Sequence, residues 1–146
     1  MSPHPLTSPW RGLMAMTNLV YSLGAFYFDF GPTHVLNPNW PPHARFHNGQ
    51  TMTLGLFLCA TSFYLLSRPA TSKREAIDSV RLAGLVGSMY CMAGVSAIFY
   101  PGTGWSDPPT EDPGQKWLFP MLTIVNLAGA WMECRRLGGD GRAKDD

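Results

Sequence analysis

The chain alternates between four apolar blocks and polar connections that are rich in proline. The apolar blocks cover residues 13–30, 51–66, 82–100 and 117–132. A membrane-spanning helix needs about 20 mostly apolar residues. The third block is uncharged and is followed by Pro101 and Gly102, which end helices. The second block is short, but its helix can begin earlier, at Pro41 or Pro42, because proline suits the first helical turn.

The basic residues are distributed unevenly between the connections. With four spans, one side of a membrane holds nine Lys and Arg residues and the other side holds two, Arg45 and Lys116. The nine are Arg11, Arg68, Lys73, Arg74, Arg81, Arg135, Arg136, Arg142 and Lys144. Because cytoplasmic loops are enriched in Lys and Arg, both termini are predicted to be cytoplasmic.

These patterns predict an all-α protein, a four-transmembrane-helix bundle formed by residues 1–137. Residues 138–146 are predicted to form a disordered polar tail. Within that tail, Arg142 and Lys144 resemble a dibasic retrieval signal, which favours the endoplasmic reticulum as the location. A soluble four-helix bundle is the alternative, since helices of this length also occur in soluble cores.

The composition of the chain mainly excludes some classes of protein and some kinds of site. Charged residues make up 14% of the chain and the net charge is +1, so no basic excess is present for binding nucleic acid. The three cysteines, Cys59, Cys91 and Cys134, form no CxxC pair, which argues against a disulfide scaffold or a cysteine-built zinc site. The mean hydropathy is only −0.05 because the connections and ends are polar.

Three of the four histidines lie in residues 29–50, just after the first block. His43, His47 and Gln50 share one face of a helix that begins near Pro41. Polar groups at membrane depth are costly when they face lipid, so this face is expected to turn toward the bundle interior or a water-filled mouth.

The first and fourth blocks carry further polar positions at helical spacing. Asn18, Ser22 and Asp29 lie near one face of the first span, which places Asp29 at the level of His43 or His47. In the fourth block, Asn126 and Glu133 share a face. A structural ion pair is predicted between Glu133 and Arg81.

A carboxylate near imidazoles indicates a general acid/base site, because histidine exchanges a proton near pH 7 and a carboxylate orients it. The group consists of Asp29, His34, His43 and His47. Two alternatives stay open. The i, i+4 histidines could bind a metal with His34 or Asp29, or all these residues could simply cap the helix and hold the loop.

The segment THVLNPNWPPHARFHNGQTM, residues 33–52, resembles a family of small four-helix integral membrane proteins of fungi and some bacteria. Some members accompany fungal polyketide pathways of the aurovertin and citreoviridin type as hydrolases that open polyene-derived epoxides into cyclic ethers. The resemblance implies a membrane enzyme of secondary-metabolite biosynthesis with a lipophilic substrate. No cofactor and no metal ligand are predicted.

Epoxide opening needs an acid for the ring oxygen and a base for water or a substrate hydroxyl. Under this resemblance His43 or His47 is the acid and Asp29 the base or the orienting group, with Tyr21 and Tyr27 as further possible donors. The substrate-binding candidates are His34, Asn37, Arg45, Asn48 and Gln50. The competing hypotheses are a non-catalytic scaffold for other biosynthetic membrane enzymes and a small transporter, for which the spans hold too few polar groups.

Overall fold

The computed structural model describes residues 5–106 and 114–139, and this part of the chain is helical without any strand. Four long helices follow a short 3-10 turn at Pro5–Thr7. They are α1 (Pro9–Asp29), α2 (Pro42–Ser67), α3 (Lys73–Ala97) and α4 (Gln115–Gly139). The predicted all-α class and the number of helices are confirmed.

Local sequence explains where the helices begin and end. Pro9 and Pro42 occupy the first turns of α1 and α2, as the fixed φ of proline favours. The side chain of Ser72 caps α3 by accepting a hydrogen bond from the backbone N–H of Glu75 at 3.2 Å. Helix α3 therefore begins nine residues before the predicted span, because a polar capped turn extends the apolar segment.

The end of the last helix also differs from the prediction. Helix α4 continues through Gly138 to Gly139, two residues into the predicted tail. Residues 140–146, including the dibasic positions, lie outside the described part of the chain.

The four helices form an antiparallel bundle in which α1 and α3 each pack against both α2 and α4. Helices α1 and α3 also approach across the diagonal. A Cβ on Gly87 would lie 2.5 Å from Oδ1 of Asn18, and one on Gly84 would lie 2.7 Å from Cβ of Ala130. Glycine at position 87 therefore allows α3 to approach α1 closely, and glycine at position 84 allows it to approach α4.

The bundle has polar groups inside and apolar groups outside. Its buried polar and charged residues are Ser8, Arg11, Thr17, Asn18, Ser22, Ser62, Ser79, Ser88, Asn126 and Glu133. Every helix also exposes large apolar side chains. Examples are Leu23 and Phe28 on α1, Leu54 and Phe57 on α2, Leu85 and Met89 on α3, and Ile124 and Trp131 on α4. The interior also contains buried apolar side chains such as Met14, Leu66 and Val80, so the unusual feature is the large apolar surface that the helices expose.

Two of the helices are long and apolar enough to cross a membrane, Pro42–Ser67 and Lys73–Ala97. Of the four predicted spans, α2 and α3 therefore have the length and composition that crossing a membrane requires.

Candidate functional site

Polar groups lie in three layers along the bundle. The closed end, as we call it, is formed by Ser8, Arg11, Glu133 and Arg136. Glu133 is fully buried and Arg11 is 5% exposed. Nε of Arg11 donates to Glu133 Oε1 at 2.8 Å, and Oγ of Ser8 donates to Oε2 at 2.6 Å. Nε of Arg136 also donates to Oε2 at 2.8 Å.

These contacts correct the predicted partner of Glu133. Arg81 lies on the exposed side of α3 and pairs instead with Asp78, with 3.7 Å between Nη1 and Oδ1. Burial alone would raise the pKa of Glu133, but the hydrogen bonds from Arg136, Ser8 and Arg11 outweigh burial and lower that pKa to about 2. The closed end is thus a fully paired ion cluster with a structural role.

The middle layer consists of side chains from α1, α3 and α4 around Asn126. Its amide nitrogen donates to the backbone oxygen of Gly84 at 2.9 Å and to Oγ of Ser88 at 3.0 Å. Oδ1 of Asn126 accepts from Thr17 at 3.2 Å. The predicted shared face of Asn126 and Glu133 is confirmed, because both residues are buried on the inner side of α4.

At the other end of the bundle, Asp29, His34 and Asn48 meet; these three residues are called the open-end site. Asp29 is the last residue of α1, and its side chain is 14% exposed. Nδ2 of Asn48 donates to Asp29 Oδ2 at 3.4 Å, and Nε2 of His34 lies 3.9 Å from Asp29 Oδ1. Both contacts are long, so the carboxylate is only loosely held.

One acceptor of the open-end site is unused. Oδ1 of Asn48 is buried and has no hydrogen-bond partner among the residues that the structure describes. A buried amide oxygen without a partner is costly, which makes it a place where a bound hydroxyl or water would be stabilised.

The loop between α1 and α2 carries His34 and is fixed by a side chain of α2. Nη2 of Arg45 donates to the backbone oxygens of Asn37 at 2.7 Å and Pro38 at 3.2 Å. Oδ1 of Asn37 accepts from the backbone N–H of Asn39 at 2.9 Å. In the structure, Arg45 and Asn37 therefore hold the loop, although both were predicted to bind substrate.

His43, His47 and Gln50 lie on the exposed side of α2. Nε2 of His43 and Nε2 of His47 are 3.0 Å apart, and Nδ1 of His47 is 3.2 Å from Oε1 of Gln50. The expectation that this face turns toward the bundle interior is wrong, and the alternative of a water-filled mouth stays a prediction. The buried residues of α2 lie on the same side of the helix as Asn48. His43 and His47 lie on a different side, which points outward.

The structure consequently divides the predicted site residues into two groups. Asp29 meets His34 and Asn48, whereas His43, His47 and Gln50 contact one another. Over residues 5–106 and 114–139, no three His, Cys, Asp or Glu side chains come together as a metal-binding group. The three-ligand arrangement considered from the sequence, in which Asp29 or His34 joins the two histidines, is not formed.

Sequence reasoning missed two aromatic residues at this end. Trp40 packs its ring against His34, with 5.2 Å between ring centroids. Tyr90 of α3 stacks on Tyr21 at 5.1 Å and lies within electrostatic range of Asp29. The position of Tyr90 three residues after Gly87, where α3 approaches α1, is the signal that could have identified it. Of the proposed tyrosine donors, Tyr27 points outward and is 82% exposed.

These features define a small helical protein with two helices apolar enough to span a membrane and a loosely held polar site at one end of its bundle. The chain belongs to DUF6640, a family of unknown function, whose model matches residues 13–144. The comparisons with curated proteins and with solved structures each find no match.

Proposed function

We propose that all four helices span a membrane, with both termini in the cytoplasm and the endoplasmic reticulum as the location. The helices have 21 to 26 residues, and about 20 are needed to cross the hydrocarbon core. Lipid tails would surround the apolar side chains that α1 and α4 expose, and equally those that α2 and α3 expose. Seven of the nine Lys and Arg residues that the structure describes lie toward the closed end, which supports placing that end in the cytoplasm.

We further propose that the protein is an enzyme that opens a lipophilic epoxide by general acid/base catalysis at the open-end site. The observation that carries this proposal is a carboxylate beside an imidazole and a buried amide oxygen that has no partner among the described residues. The substrate class rests on the resemblance of residues 33–52. No cofactor is part of the proposal.

In the proposed reaction, Oδ1 of Asn48 accepts a hydrogen bond from the attacking water or substrate hydroxyl. Nδ1 of His34, which lies 2.9 Å from Oγ1 of Thr33, removes its proton. Asp29 faces Nε2 on the other side of the ring, where it orients the imidazole and stabilises the imidazolium that forms. The oxygen then bonds to one epoxide carbon as the C–O bond of the ring breaks. The hydroxyl of Tyr90 protonates the released ring oxygen, and the proton on His34 returns to Tyr90 through solvent.

This assignment keeps Asp29 as an orienting group, makes His34 the base, and moves the acid role predicted for His43 or His47 to Tyr90. Both of those histidines lie on the exposed face of α2, whereas the ring of His34 is directed at the carboxylate. Arg45 and Asn37 act indirectly, because they fix the loop that carries His34.

The test is metabolite profiling in a host that supplies a polyene epoxide, with variants compared at equal membrane levels. Asp29→Asn and His34→Ala should stop conversion to diol or cyclic ether. Tyr27→Phe is the matched control, because its hydroxyl is on the same helix but points outward. Equal product from all four chains would contradict the proposed enzyme. A scaffold instead predicts that product stays unchanged while co-purification with other membrane enzymes depends on exposed residues of the spans.

A further inference from the structure

The geometry of the exposed histidine pair matches that of two ligands on one metal ion. The two Nε2 atoms of His43 and His47 are 3.0 Å apart, and their rings are inclined by 74°. Two imidazole nitrogens, each about 2.1 Å from one ion and about 90° to 110° apart around it, are separated by about 3.0 to 3.4 Å. The observed separation lies within that range.

The neighbouring amide sets the tautomer that metal binding requires. Oε1 of Gln50 can only accept a hydrogen bond, so Nδ1 of His47 carries the proton that is donated across 3.2 Å. Nε2 of His47 is then unprotonated and directs its lone pair toward His43. Metal-bound histidines generally have such an acceptor on their other ring nitrogen.

The surroundings of the pair leave room for an ion. Both imidazoles are exposed, and His43 also stacks on the ring of Phe46 with 6.1 Å between centroids. The nearest cationic side chain in the sequence, Arg45, directs Nη2 at the backbone oxygens of Asn37 and Pro38. The loop between α1 and α2 therefore holds this guanidinium.

We propose that His43 and His47 bind a divalent ion of the later first-row metals, Zn²⁺ or Ni²⁺, through their Nε2 atoms. Imidazole is a preferred ligand of these ions. Two protein ligands leave coordination positions for water or for a donor atom of another molecule. The site is separate from the open-end site and does not depend on the proposed enzyme function.

The test measures binding of Zn²⁺ and Ni²⁺ to the purified, chelator-stripped protein in detergent, with a tag that contains no histidine. Every chain carries His4→Ala, so that the remaining imidazoles are those of residues 34, 43 and 47. Binding is followed by competition with a chromogenic chelator, which requires no enzyme activity. The variants are His43→Ala, His47→Ala and Gln50→Leu, with His34→Ala as the matched control.

The proposal predicts one bound ion per chain, affected in a graded way by the variants. Either alanine at the pair should weaken binding by at least about 100-fold, as expected when one of two ligands is removed. Gln50→Leu should weaken it by about 10-fold, because the orienting acceptor is lost, and His34→Ala should have no effect. Binding that is absent, or that His34→Ala weakens as much as His43→Ala does, would overturn the proposal and leave the pair as a hydrogen bond between two rings.

Discussion

The two ends of the bundle each place a carboxylate near basic side chains, but they hold it in opposite ways. At the closed end, Glu133 is fully buried and receives short hydrogen bonds from Ser8, Arg11 and Arg136. At the open end, Asp29 is partly accessible, and its two contacts are 3.4 and 3.9 Å long. A carboxylate with every lone pair engaged stabilises a fold, whereas one with free capacity can still act on another molecule.

The closed end should therefore dominate stability. Glu133→Ala leaves the guanidinium of Arg11 buried without its counter-ion, and the free energy of unfolding should fall by about 3–5 kcal/mol. Thermal unfolding in detergent measures this. Asp78→Asn is the control, because its ion pairs with Arg74 and Arg81 are exposed and contribute about 0–1 kcal/mol. Equal losses for the two variants would remove the distinction between the ends.

The middle layer should also be more tightly packed than the open end. Gly87→Ala puts a Cβ 2.5 Å from Oδ1 of Asn18, and such overpacking costs about 1–3 kcal/mol. Gly49→Ala, near the open end, meets nothing within 4 Å and should stabilise its helix by about 0.5–1 kcal/mol. Unfolding temperatures of the two variants should move in opposite directions, and a shared direction would contradict the tight packing of the middle layer.

The closed end should also resist acid. The pKa of Glu133 in the folded protein, about 2, is below its ordinary value of 4.5, so ionised Glu133 stabilises the fold above pH 4.5. That contribution should decrease as the pH falls from 4.5 toward 2. The stability difference between the wild type and Glu133→Gln should consequently be constant above pH 4.5 and shrink below it. A difference that does not change with pH would contradict this pairing.

The smallest change in stability is expected at the open end. Asp29→Asn removes the charge but keeps a side chain of similar shape, and the contacts that it disturbs are long. The free energy of unfolding should change by less than about 1 kcal/mol in the same detergent assay. A loss as large as that of Glu133→Ala would mean that the open end is also structural.

The sequence predicts the helices well because their signals are local. Apolar blocks and prolines located α1 and α2, while the start of α3 at Lys73 was missed because its first turns are polar. Orientation about each helix axis is not local. The partner of Glu133 is Arg11 of α1, and helical spacing alone does not distinguish it from Arg81.

The lack of a local signal for helix orientation also explains why the candidate site was only partly predicted. Asp29 could be placed near the α1–α2 connection from its position at the end of a span, but the inward face of α2 was assigned to the histidines. A better signal was available in Met52, Gly55, Cys59, Ser62 and Leu66, whose heptad-like spacing marks the buried face. Continued backward by four residues, that spacing reaches Asn48. The contact between His34 and Asp29 depends on the loop conformation, which no periodicity encodes.

The most direct test of the account compares turnover at the two ends. The purified protein in liposomes would be supplied with a polyene epoxide, and the rate of epoxide loss measured per folded chain for the wild type, Asp29→Asn and Asp78→Asn. Loss of an acid/base group lowers rates by about 10²- to 10⁴-fold. The account predicts such a loss for Asp29→Asn and an unchanged rate for Asp78→Asn. Equal rates for all three chains, or no conversion by the wild type, would contradict it.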